Sequence, residues 1–273
     1  MSHEETKTNF LEVFKIISVF ISTVVIAIAS LMVTQSFNKS QVEISRSKEV
    51  VELAKNLSSQ DKQTRIVSAV MLANYGERAI PVLVAALTDT DINMLTAAEL
   101  SLKVIGEPAE RYVENAYLNA KNPFLSVSRA TYLHALGMMH AGCAFDLASK
   151  AINDSSEAWN VRTDAAKVLG LLMDKRAIPI LEKIIDKDRV VWDPVREQAI
   201  YSLGTFRAKE SVRYILPYIH AHYDPVRRSA VWALGRLGDP TLIDSLTLIA
   251  NNDKNAVVKA EALNAMDYLN VEK

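Results

Sequence analysis

The feature that most restricts the fold is a phrase that returns about every 32 residues. In its fullest form it reads Val-Arg, then Ala three after the Arg, Leu seven after and Gly eight after. The clearest copies are VRTDAAKVLG from Val161 to Gly170, VREQAIYSLG from Val195 to Gly204 and VRRSAVWALG from Val226 to Gly235. Weaker copies are keyed on Arg65, Leu95, Arg129 and Lys259, giving key positions 65, 95, 129, 162, 196, 227 and 259. A unit this short cannot bury an apolar face by itself, whereas stacked copies share a continuous core, so the period specifies a solenoid.

The columns of the repeat give the packing. Three after the key stand Ser68, Ala98, Tyr132, Ala165, Ala199, Ala230 and Ala262, and seven after it stand Leu72, Leu102, Leu136, Leu169, Leu203, Leu234 and Met266. Both columns lie on one helical face, and residues four and ten after the key, such as Ile200 with Phe206 or Val231 with Leu237, complete the stripe. The mostly small column admits a neighbouring helix and the Leu column fills the space beyond it. A second apolar helix precedes each copy: AIPVLVAAL from Ala79, AIPILEKII from Ala177, SVRYILPYI from Ser211 and TLIDSLTLI from Thr241. The unit is therefore a helix pair. Asp193-Pro194, Asp224-Pro225 and Asp239-Pro240 suit an Asp N-cap with Pro at the first helical position, and Gly106 and Gly238 suit helix C-termini.

The phrase from Asp224 to Gly235, D-P-V-R-x-x-A-x-x-A-L-G, resembles the HEAT repeat in its short phycobilisome-lyase-like form, over roughly Val42 to Asn270. The copies keyed on Leu95 and Arg129 depart from the pattern. The resemblance implies an all-α, right-handed α-solenoid of about seven HEAT-like helix pairs, whose second helices line a concave face that binds other proteins. It also implies that the residue five after each key faces the groove: Val70, Leu100, His134, Lys167, Tyr201, Trp232 and Asn264. Tyr201 and Trp232 then sit on adjacent repeats with Arg228 and Arg236 one turn to either side of Trp232, a combination suited to an interface anchor. The repeat arginines Arg65, Arg129, Arg162, Arg196 and Arg227 are expected as a structural ladder paired with acids of the preceding turns, Asp61, Asp193 and Asp224. Trp159 and Trp192 occupy corresponding inter-helix turns, where they either form an edge site or, as the expectation favoured here has it, plug the turn against the next repeat.

Ahead of the repeats, Ile16 to Val33 is an uncharged apolar run of 18 residues, about 27 Å as a helix and long enough to cross a bilayer core. An alternative is a signal peptide cleaved near Ala29, but Glu4, Glu5 and Glu12 in the leader and the apolar residues continuing through Leu31, Met32 and Val33 favour an uncleaved anchor. Lys7 and Lys15 precede the span while Lys39, Arg46 and Lys48 follow it, which orients the large part toward the cytoplasm. The expected organisation is a tail over 1–15, a transmembrane helix over 16–33, a helical stalk over 34–49 and the solenoid over 50–273.

A net charge of -1 gives no basic footprint for nucleic acid, and the C-terminal arginines Arg207, Arg213, Arg227, Arg228 and Arg236 are interspersed with Glu197, Glu210, Asp224 and Asp239. The single cysteine, Cys143, forms no intramolecular disulfide and carries no catalytic constellation. Deoxyhypusine hydroxylases resemble this architecture but hold iron through His-Glu dyads, and the one His-Glu here is His3-Glu4. His220-Ala221-His222 near Asp224 is a partial ligand set whose imidazoles diverge if they are helical, so no metal is assigned. No P-loop, nucleotide-binding glycine pattern or nucleophile elbow is present. The expectation is a membrane-anchored, non-catalytic protein-binding scaffold without cofactor, bound to the bilayer through Ile16 to Val33. The alternatives are a bilin-lyase-like or other small-molecule enzyme on the same fold, and a structural spacer in a membrane complex.

Overall fold

In the computed structural model, the backbone is described for residues 3–57, 59–186 and 192–271, and it is helical throughout with no strand among the described residues. The chain divides into two compact units, Met1–Lys55 and Asn56–Lys273. The first is a single helix, α1 (His3–Asn56), which runs unbroken through the segments read above as tail, span and stalk. Side chains before Ile28, and that of Ala29, lie outside the described residues, so the expected span Ile16 to Val33 falls largely outside them. Among the described residues, no helix is long and apolar enough to cross a membrane.

The second unit alternates first and second helices as the period requires. The second helices are α2 (Lys62–Leu72), α4 (Ile92–Ile105), α6 (Ser126–Met139), α8 (Trp159–Leu171), α10 (Asp193–Phe206), α12 (Asp224–Leu237) and α14 (Ala256–Val271). Each carries one key position. Between them lie α3 (Ile80–Ala86), α5 (Glu107–Asn119), α7 (Ala144–Asn153), α9 (Ala177–Ile185), α11 (Val212–Ile215) and α13 (Ile243–Asn252). The short α11 continues as tighter 3-10 turns to His220, because Pro217 has no N–H to sustain the α-helical ladder.

Burial follows the columns. Ala98, Ala165, Ala199, Ala230 and Ala262 are buried, as are the leucines from Leu72 to Leu234, while Tyr132, the large residue in the small column, is half-buried. Each second helix packs on the next, α6 on α8, α8 on α10, α10 on α12 and α12 on α14. The glycine eight after the key makes this approach possible. A Cβ on Gly170 would lie 2.8 Å from Ser202 Cβ, one on Gly204 2.9 Å from the Ala233 Cα and one on Gly235 2.7 Å from the Ala265 Cα. Glycine here meets the residue six after the key on the following helix, and at that position Ser101 and Ser202 donate their hydroxyls to the carbonyls of Ala69 and Ala166, 2.9 Å each.

Two expectations about the turns are corrected. Asp193 and Asp224 are not N-caps: they open α10 and α12 from inside, and the capping positions belong to Trp192 and Tyr223, whose carbonyls accept from the Arg196 and Arg227 N–H. The carboxylates are instead taken by the arginine one turn on, Asp193 with Arg196 at 2.8 Å and Asp224 with Arg227 at 2.9 Å. Asp239 does cap, accepting from the Thr241 N–H at 2.9 Å, and Gly106 and Gly238 end α4 and α12 with φ of 79° and 70°.

The ladder runs in both directions: Arg196 and Arg227 take Asp193 and Asp224 of the preceding turns, as expected, and further pairs reach forward. Arg65 reaches Asp91 at 2.6 Å, Arg129 reaches Glu157 at 3.0 Å and Arg227 holds both oxygens of Asp253 at 2.9 Å, all acids of the following turn. Asp61 caps α2 instead, accepting from the Thr64 N–H at 2.8 Å. The same guanidinium groups donate backward to carbonyls at the ends of first helices: Arg129 to Tyr117 at 2.6 Å, Arg162 to Ile152 at 3.4 Å and Arg227 to Ala221 at 2.9 Å. Each such arginine thus satisfies a helix end that would otherwise lack a donor, and Arg65, Arg129 and Arg227 also tie one repeat to the next.

Candidate functional site

The residues five after the key stand apart from the buried stripe. Val70, Leu100, Tyr201 and Asn264 are exposed and His134, Lys167 and Trp232 are half-buried, so this row lies on the outer surface of the second helices. The position is set by helical period, since the residues three, four and seven after the key turn inward and leave this one outward.

Tyr201 and Trp232 meet on adjacent helices as a stacked pair, with ring centroids 4.2 Å apart and planes inclined by 13°. Gly204 lets them do so, because a Cβ there would come within 2.6 Å of Trp232 Cζ3. The Arg236 guanidinium lies 5.6 Å from the Trp232 ring centroid and 5.7 Å from that of Tyr268 on α14. Trp232 and Tyr268 line a recess of about 530 Å³ together with Glu261, Asn264 and Asp267.

Of the six residues proposed for partner binding, Tyr201, Trp232 and Arg236 are therefore brought together. Arg228 points elsewhere: it lines a separate recess with Glu197, Asp224 and Asn255. Burial pushes the Glu197 carboxyl up, while the charge of Arg228 opposes the shift. His134 and Lys167 belong to a second polar group further toward the N-terminus. There His134 Nδ1 lies 2.6 Å from a Glu99 oxygen, linking α6 to α4. The neighbouring Asp164 carboxyl is pushed up by burial against the lowering influence of His134 and Lys167.

Tyr268, Glu261, Asp267, Glu99 and Asp164 were not singled out by the sequence. Tyr268 had a signal, since it stands nine after its key and so matches Arg236 in the previous repeat. The turn tryptophans are corrected: Trp159 and Trp192 are 49% and 66% exposed and do not plug the turns. They precede the buried stripe, which begins at Val161 and Val195. Burial, followed by the charge of Glu114, pushes the Cys143 thiol up to about 11, so it stays protonated at neutral pH. Among the described residues no cluster of three His, Cys, Asp or Glu is arranged to hold a metal ion. His222 lies in the same shallow recess as Asp253, whose oxygens are occupied by Arg227.

Residues 192–267 match the family described as HEAT repeats, and residues 161–187 match the PBS lyase HEAT-like repeat. No curated protein matches the sequence. Among solved structures, Kap121p is similar with a TM-score of 0.61 and 15% identity over 82% of this chain and 29% of that one. Kap121p bound to Nup53p is similar with a TM-score of 0.62 and 14% identity, again over 82% of this chain and 29% of that one. The chain thus spans less than a third of Kap121p, and at these identities the likeness is one of fold. The complex of CpcE and CpcF of phycocyanin lyase from Nostoc shares 22% identity over 80% of this chain and 77% of that one, with a TM-score of 0.41. Stacking of successive helix pairs accounts for the Arg ladder and the glycine column as fold-forming features, whereas the exposed edge of the Tyr201–Trp232 pair serves neither.

Proposed function

We propose that this protein is a non-catalytic scaffold that binds a protein partner on the face of its second helices, with Tyr201 and Trp232 as the anchor. The observation that carries this reading is the stacked pair: two large aromatic rings held in one orientation across two repeats, with Tyr201 still 44% exposed. Rigid aromatic surface of this kind loses little conformational freedom on binding and is typical of the residues that dominate interfaces. Kap121p, which has a similar fold, has been solved bound to Nup53p, Ste12p and Pho4p, so a solenoid of this type takes protein partners there. In the same proposal Ile16 to Val33 anchors the chain in a membrane, supported by the uncharged apolar run in the sequence, with the repeats on the cytoplasmic side, a reading supported by the Lys and Arg that follow the run.

Proximity labelling from the C-terminus of the full-length protein in its native cells tests both parts. The expected result is a defined set of neighbours on the cytoplasmic side of a membrane that disappears with Trp232→Ala. A set unchanged by Trp232→Ala contradicts the proposed face and favours a spacer that only positions its anchor.

A further inference from the structure

We propose that the recess between Trp232 and Tyr268 receives a lysine or arginine side chain, so that the partner presents a basic segment to the C-terminal end of the second-helix face. This rests on the scaffold reading above and supplies the chemistry of the partner. The recess combines two aromatic rings, the Asn264 amide and the carboxylates of Glu261 and Asp267 in a space of about 530 Å³. That volume suits an extended side chain and is far larger than a bare metal ion requires. Neither Glu261 nor Asp267 makes a hydrogen bond or ion pair with another described residue, and the Asn264 amide has no partner among them either.

The neighbouring Arg236 decides the sign of the charge that fits. Its guanidinium already lies over both rings, showing that their faces are disposed toward a cation, and its Nε is buried without a hydrogen-bond partner. One positive charge from Arg236 stands against two negative charges from Glu261 and Asp267, which leaves the recess negative. An incoming carboxylate or phosphate would be repelled by the two carboxylates of the lining, which the single charge of Arg236 only half offsets. An incoming ammonium or guanidinium instead finds carboxylates for its charge, an amide oxygen for its N–H groups and the exposed part of the Tyr268 ring for its methylene stem.

The test is fluorescence anisotropy of the full-length protein with a fluorescein-labelled octalysine peptide, using octaglutamate as the opposite-charge probe, at low and physiological salt. Octalysine is expected to bind and octaglutamate not to, and the paired substitution Glu261→Gln with Asp267→Asn is expected to weaken octalysine about tenfold. A control pair of exposed acids on the first-helix side, Glu210→Gln with Asp244→Asn, is expected to change it less than about twofold, which separates the recess from general charge attraction. Trp232→Leu is expected to weaken binding and Trp232→Phe to retain most of it. Octalysine binding that is indifferent to Glu261 and Asp267, equal sensitivity to the control pair, or tighter binding of octaglutamate overturns the proposal. If the labelled neighbours still depend on Trp232 while octalysine ignores the two acids, the scaffold stands and the basic partner falls. If octalysine depends on the acids but no neighbour depends on Trp232, the recess stands and the scaffold falls.

Discussion

At the scale of single residues, Arg227 shows what holds consecutive repeats together. Its guanidinium binds both oxygens of Asp253, one oxygen of Asp224 and the carbonyls of Ala221 and His222, and the Arg227 and Asp253 side chains are each only 5% exposed. Replacing Arg227 by Ala leaves the Asp253 carboxylate buried without its cation, and the expected cost is about 3–5 kcal/mol in denaturant unfolding. Pairing Arg227→Met with Asp253→Leu removes both charges and is expected to recover much of that loss. Asp91 gives a pH signature: the Asn93 N–H and side-chain amide, followed by Arg65, hold its carboxyl down to about 2 from an ordinary value of 3.8. Because the folded value is the lower one, its stabilisation is present above about pH 4 and is lost as pH falls toward 2. Acid titrations of unfolding should therefore show a shallower loss between pH 4 and 2 in Asp91→Asn than in the parent protein.

Among the helices, the glycine column carries the close approach of neighbouring second helices. Gly204→Ala places a Cβ 2.6 Å from Trp232 Cζ3 and 2.9 Å from the Ala233 Cα, the latter a backbone atom that cannot swing aside. The expected cost is about 1–3 kcal/mol, together with a change in tryptophan fluorescence as the stacked pair is displaced. Ala199→Leu and Ala230→Leu, both at fully buried positions, should cost a similar amount, about 1–3 kcal/mol, and unchanged thermal unfolding would count against the packing register. The stripe around Ala199 and Leu203 was legible because helical period alone decides which residues of one helix share a face. Of the two acids that Arg227 holds, Asp224 was legible one turn away in sequence, while Asp253 was not, since it is adjacent only after the next repeat has stacked. Likewise the repeated glycine was visible as a pattern, but its reason lies in the residue that faces it from the following helix. The aromatic pair was legible by the same periodicity, and Glu261 and Asp267 stand three residues to either side of Asn264 on the same face of α14, whereas their meeting with Trp232 of α12 depends on how the two helices pack.

For the whole molecule, the proposed division of labour assigns membrane attachment to the N-terminal apolar run, cohesion to the buried columns and ladder, and recognition to the outward row of the second helices. Recognition uses side chains outside the buried columns, and this is why Tyr201 and the acids of α14 can be changed with little expected effect on folding, while the half-buried Trp232 is better tested with Phe beside Ala. The most direct measurement is site-specific photocross-linking in native cells, with a benzophenone amino acid placed either at Leu263, an exposed neighbour of the aromatic recess on α14, or at Leu248 on α13. Both positions are exposed, and neither substitution touches Tyr201 or Trp232 themselves. A discrete protein adduct from position 263 that is lost with Trp232→Ala, and no corresponding adduct from position 248, is the expected result. An adduct from position 248 alone, or one from position 263 that survives Trp232→Ala, would contradict it.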